Sequence, residues 1–240
     1  MLVISPREVG EFLGACVLLV LVSVPLGSGT IVERIDGLYD LSIRTKTEVL
    51  IMDTMRLTEN IGRLDELKKD ASITQKKGLP FIMSSVIIWS LILAVQFLDK
   101  AQVTKNFYTF MCSCYLMPLA FMFSKIIKAD IFKKTSNPIN KLGFLCTMNQ
   151  TLYLIIVMWA FNRSPEAMLM LYAMVFGAHL LPFGWVYNSL AYKVVSVIET
   201  IGALLIALSF GNAATCVFMI VMEIILCICL FIENKKLMNQ

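Results

Sequence analysis

Apolar and polar positions segregate into long blocks in this chain. Six apolar runs fall between residues 79 and 232, at 80–98, 108–127, 142–161, 167–186, 191–210 and 213–232, with short polar connectors between them. A helix of about 20 residues spans the hydrocarbon core of a bilayer. The pattern therefore predicts an all-α protein, a polytopic transmembrane helical bundle whose six core spans are antiparallel neighbours. Ahead of them, residues 30–78 are charged and mixed in sign, and Leu50, Leu57, Ile61, Leu64 and Leu67 fall on one helical stripe, which predicts an amphipathic juxtamembrane helix. A further apolar stretch at 12–26 is short for a span and has Pro25 near its end. Its flanks do not read as a signal peptide, because Arg7 is offset by Glu8 and Glu11. Residues 1–29 are read as an extra short span or an interfacial anchor.

Composition supports a membrane location. Of 240 residues, 58% are hydrophobic and 16% charged, with a mean hydropathy of +0.76, well outside the range of soluble domains. The net charge of +4 does not indicate nucleic acid, because the lysines flank spans instead of lining one face. Lys68, Lys69, Lys76 and Lys77 precede the first core span, and Lys125, Lys128, Lys133, Lys134 and Lys141 surround the second connector. By the positive-inside rule these ends face the cytoplasm. Lys193, Lys235 and Lys236 agree, so both ends of the core are expected inside. Lys100 and Lys105, on the outer side, are outnumbered.

The chemistry open to the chain is narrow. Seven cysteines fall in apolar runs, where a thiol behaves as a small hydrophobe. The pairs Cys112/Cys114 and Cys227/Cys229 put their side chains on different helical faces, so no metal site is expected. Phosphate-binding, serine-hydrolase and zinc-protease motifs are absent from the sequence, and one histidine excludes a multi-histidine centre. No cofactor and no catalytic residue is assigned. Trp185 and Tyr187 suit interfacial anchoring.

Polar residues inside the spans carry the functional signal. Asn149, Gln150, His179 and Glu199 lie at about one depth, roughly 12 Å from the cytoplasmic ends of three successive spans, and Glu223 is nearer the midplane. Tyr153, four residues after Asn149, shares its face. Pro182 breaks the helix just after His179. These six residues predict a cytoplasm-facing polar pocket in which His179 pairs with a glutamate, because an ionisable group in hydrocarbon needs a partner. The leading reading is transport or sensing of a small solute or proton. Two alternatives stay open: an intramembrane enzyme with a His179–glutamate acid/base pair acting on a lipid-linked substrate, and a structural accessory subunit whose polar residues only join helices. The expected partners are the lipid bilayer and the solute or proton, and a homo-oligomer is compatible with the pattern.

Five blocks carry a resemblance: KKGLPFIMSSVIIW (76–89), PLAFMFSKIIKADIF (118–132), NPINKLGF (137–144), NQTLYLIIVMW (149–159) and YAMVFGAHLLPFGWVY (172–187). From about Leu64 onward the chain resembles a family of small bacterial six-span membrane proteins known only as a domain of unknown function. The resemblance implies a multipass membrane protein without an assigned activity, and it carries over no site residues. Residues 1–63 fall outside it, and Met52 and Met55 are alternative starts.

Overall fold

The computed structural model of the protein describes residues 31–131 and 136–239, with side chains from residue 46 onward. The stretch at 12–26, with Cys16, lies outside them, as do Lys133 and Lys134. Among the described residues every regular element is helical. The order is α1 (Ile31–Gln75), a 3-10 turn (Lys76–Gly78), α2 (Leu79–Gln96), α3 (Gln102–Ser113), α4 (Leu116–Ile127), α5 (Pro138–Arg163), α6 (Pro165–His179), α7 (Leu181–Val186) and α8 (Leu190–Met238). Five helical stretches are long and apolar enough to cross a membrane: Lys46–Gln96, Gln102–Ile127, Pro138–Arg163, Pro165–Val186 and Leu190–Met238.

The fifth and sixth apolar runs lie in one helical element, α8, but they do not continue one another in space. Gly211 has φ +79° and ψ −172°, outside helical geometry. Gly202 packs against the ring of Phe218, although these residues would stand about 24 Å apart on an unbroken helix. The chain therefore reverses at Gly211, and residues 190–210 and 212–238 form two arms of a hairpin. The fourth run is also divided. α6 ends at His179 and α7 begins at Leu181, the break that Pro182 leads one to expect.

The described residues fall into two units that meet at Asn60 and Ile61. In the first, side chains from Lys46 to Asn60 are exposed, Leu50 and Leu57 among them. In the second, Leu64 and Leu67 of the predicted stripe pack on the hydrophobic core, whereas Ile61 is exposed. That core is built where α8 runs against α2 and α6. Trp89, Ile92, Met168, Leu169, Met219 and Leu226 are its large buried side chains. Trp89 stands 5.5 Å from the Tyr172 ring and 5.6 Å from that of Phe176, distances at which edge-on aromatic contacts are favourable. α3–α4 and α5 expose most of their apolar surface, as helices facing lipid can.

Polar contacts gather at the two ends of this bundle. At one end the turn before α2 is held on both arms of the hairpin. Lys77 Nζ pairs with Glu233 at 2.7 Å, Tyr192 Oη donates to the Lys77 carbonyl at 2.8 Å, and Asn234 Nδ2 donates to the Lys76 carbonyl at 2.9 Å. Lys76, Lys77 and Gly78 all have positive φ. This conformation is unfavourable for the two lysines and is offset by those contacts. Tyr187 was expected at the interface as an anchor, but it is buried here. It donates to Gln75 Oε1 at 2.6 Å, and burial pushes its phenol up, so it stays a donor at physiological pH. Trp185 remains half exposed, with Lys68 Nζ 3.5 Å from its ring centre. The Asp130 amide donates to the Thr74 carbonyl at 2.8 Å. At the opposite end, Lys105 Nζ donates to Gln96 O at 2.9 Å and Asn106 Nδ2 to Pro165 O at 2.7 Å.

Asn137 joins the first end to α5. Its Oδ1 accepts from the Ile139 amide at 2.9 Å and so caps α5, with Pro138 at the first helical position. Its Nδ2 donates to Leu67 O at 2.8 Å and Asp70 at 2.9 Å. Asn137→Ala removes cap and tether together and should lower unfolding free energy by about 1–2 kcal/mol. An SDS titration of the protein in mixed micelles measures it, and an unchanged midpoint would show that neither contact matters.

Candidate functional site

Two glutamates lie on facing arms of the α8 hairpin. Glu199 and Glu223 would be about 36 Å apart along a straight helix. The reversal at Gly211 brings them close enough to act directly on one another. Both are fully buried, at 0% exposure. Glu223 Oε2 is hydrogen-bonded to Ser85 Oγ of α2. The remaining three oxygens, both of Glu199 and Oε1 of Glu223, have no hydroxyl, amide or cationic donor among the described residues, which leaves the opposite carboxyl as their partner.

Close helix packing encloses the pair. Gly177 of α6 lies so near the first arm that a Cβ there would stand 2.8 Å from Glu199 Cβ and 2.9 Å from the Thr200 amide nitrogen. Ser196 Oγ donates to the Gly177 carbonyl at 2.8 Å, and Thr200 Oγ1 donates to Ser196 O at 2.8 Å. Both hydroxyl hydrogens are thus committed to backbone. Glu223 in turn acts on Tyr192 and Cys227. Tyr192, in the polar clamp at the Lys77 end, lies about 10 Å along the helix from Glu199.

The six residues expected to line one pocket divide into three places. Glu199 and Glu223 are together. Asn149 and Tyr153 lie on an exposed face of α5, where Asn149 Nδ2 donates to Tyr153 Oη at 3.0 Å. Gln150 beside them is half-buried. His179 is also half-buried and turns Nδ1 to the Phe176 carbonyl of its own helix. Its ring lies between those of Phe176 and Phe183, at 5.1 and 6.1 Å. The partnership expected between His179 and a glutamate is thus replaced by a local backbone contact and aromatic packing. The carboxyl pair finds its polar partner in Ser85 instead. Sequence reading missed Ser85 and Gly177. A hydroxyl inside an apolar run marked the first, and nothing but its small size marked the second.

Among the described residues no group of three or more His, Cys, Asp or Glu side chains is placed to hold a metal ion. The pair can instead hold a proton between two carboxyls. Two carboxylates side by side without counter-charge repel each other in a medium that barely screens them, and burial penalises each ion by several kcal/mol. At least one must be neutral.

Residues 64–233 match a family described as a family of unknown function, DUF7010, and the chain belongs to it. The matched region contains the carboxyl pair, Ser85 and Gly177. No curated protein and no solved structure matches the chain.

Proposed function

We propose that this member of a family of unknown function is a six-span integral membrane protein that binds and releases a proton at its Glu199–Glu223 pair while transporting or sensing a small solute. The observation that carries the reading is the pair itself: two fully buried carboxyls that face one another, with three oxygens to which no hydroxyl, amide or cation donates among the described residues. Such groups are expensive in hydrocarbon and are usually kept for a task. Six antiparallel crossings are supported by the reversal at Gly211 and by the sorting of contacts between the two ends. Lys77, Asp130, Asn137, Tyr187, Tyr192 and Glu233 meet at one end, and Gln96, Lys105, Asn106 and Pro165 at the other. Every second span terminus is on the same side, as antiparallel spans require. The lysine-rich end is the cytoplasmic one by the positive-inside rule.

The enzyme reading has less support, because His179 is turned to a carbonyl of its own helix. Proton exchange is tested on the full chain in lipid by infrared difference spectra between high and low pH. We expect the parent to show a carboxylic-acid carbonyl band that is gained on acidification, and Glu199→Gln/Glu223→Gln to lose it while remaining folded. A parent without the band, or a double variant that keeps it, defeats the reading. Orientation is tested with a membrane-impermeant maleimide: Asn212→Cys should label in intact cells and Lys235→Cys only after permeabilisation.

A further inference from the structure

The two glutamates are not equivalent, and the difference follows from counting hydrogens. Ser85 Oγ stands 2.7 Å from the Ile82 carbonyl and is also hydrogen-bonded to Glu223 Oε2. The hydroxyl has one hydrogen and the carbonyl has none, so two oxygens at that distance need the serine's hydrogen between them. The hydrogen between Ser85 and Glu223 must then come from the glutamate. A protonated Glu223 donates to Ser85, which donates to Ile82 O, and each donor in the chain is used. Glu199 has no hydroxyl to hold its proton: its partner is the Glu223 carboxyl itself, no hydroxyl or amide donates to either of its oxygens among the described residues, and the nearby Ser196 and Thr200 hydroxyls are committed to backbone carbonyls.

Resting on the reading above, we propose that Glu223 holds its proton permanently through Ser85, and that Glu199 is the group that takes up and releases a proton. A neutral Glu223 is what makes this workable. When the O–H bond of Glu199 breaks, the electron pair stays on its carboxylate and the proton passes to water. The new charge then faces a neutral acid instead of a second anion. Among the described residues Glu223, not Glu199, is the member of the pair that acts on further titratable groups, Tyr192 and Cys227. The ligand is a proton in preference to an alkali cation, because a cation would need several oxygens turned toward it, and the hydroxyls here are turned to backbone.

The same infrared difference measurement separates the two carboxyls. In Glu223→Gln the amide can donate to Ser85 as the acid does, so the variant should fold and keep the pH-dependent band. Glu199→Gln should lose the band. If Glu223→Gln loses it and Glu199→Gln keeps it, or if each single variant abolishes it, the assignment is overturned while proton exchange at the pair stands. If both single variants and the double variant keep the band, the reading beneath it fails as well. Should Glu223→Gln not fold, Ser85→Ala serves instead. It should shift a carboxyl band that does not respond to pH and leave the responsive band in place; loss of the responsive band would contradict the assignment. Repeating the parent titration with sodium in place of choline should change nothing. A band displaced by sodium at constant pH would make Glu199 a cation ligand and overturn the proton.

Discussion

Gly177→Leu is expected to be the most damaging single substitution in the helical bundle, lowering unfolding free energy by about 3 kcal/mol or more. The first added carbon already stands 2.8 Å from Glu199 Cβ and 2.9 Å from the Thr200 amide nitrogen. The second of these is backbone, so relief requires moving α6 away from the first arm of α8. That movement would pull the Gly177 carbonyl off Ser196 Oγ, now at 2.8 Å, and open the wall beside the carboxyl pair. Small residues at such crossings matter because membrane helices associate through packing and short hydrogen bonds, without a hydrophobic drive between them. Gly177→Ala should show the same fault in smaller degree. Gly143→Ala is the control: a Cβ there meets only Val186 Cγ1 at 3.9 Å, so the variant should not destabilise and should gain a few tenths of a kcal/mol to about 1 kcal/mol from helix propensity. SDS-titration midpoints of the three variants against the parent give the test. If Gly177→Leu tracks the parent, the close approach is not a feature of the folded protein.

The same crossing shows which parts of the fold and site could be read from sequence. Run length was enough to anticipate helical stretches long enough to span a bilayer, because bilayer thickness fixes length, although the second run, expected at 108–127, begins within α3 and is divided before α4. Run length and lysine placement also assign the glutamates an expected depth. What depth cannot give is rotation about the helix axis. In a soluble helix an apolar stripe marks the inward face, but in α5 both faces are apolar, since lipid and protein interior accept the same side chains. Asn149 could therefore be assigned a level but not a direction, and it lies on an exposed face with Tyr153. His179 failed for a related reason. A partner is expected for it, and the carbonyl of Phe176, one turn back on its own helix, takes that place locally. Pairing of Glu199 with Glu223 needed the two arms in register, and that depends on a single backbone conformation at Gly211.

That conformation yields the second large effect, and a comparison of two glycines isolates it. A Cβ at Gly211 would meet nothing within 4 Å, and neither would one at Gly62, so space is not limiting at either position. The backbone differs. Gly211 has φ +79° and ψ −172°, a region open essentially to glycine alone, whereas Gly62 lies within α1. Gly211→Val should therefore destabilise by about 1–3 kcal/mol through backbone strain, while Gly62→Ala should stabilise by about 0.5–1 kcal/mol through helix propensity. The opposite signs separate strain from any general intolerance of substitution. Because the Glu199–Glu223 register hangs on this turn, Gly211→Val should also weaken the pH-dependent carboxyl band of the folded protein, an effect that Gly62→Ala should not share. Equal midpoints for the two variants would mean that the chain does not reverse at Gly211 in the way the glycine geometry requires, and would separate the two carboxyls again.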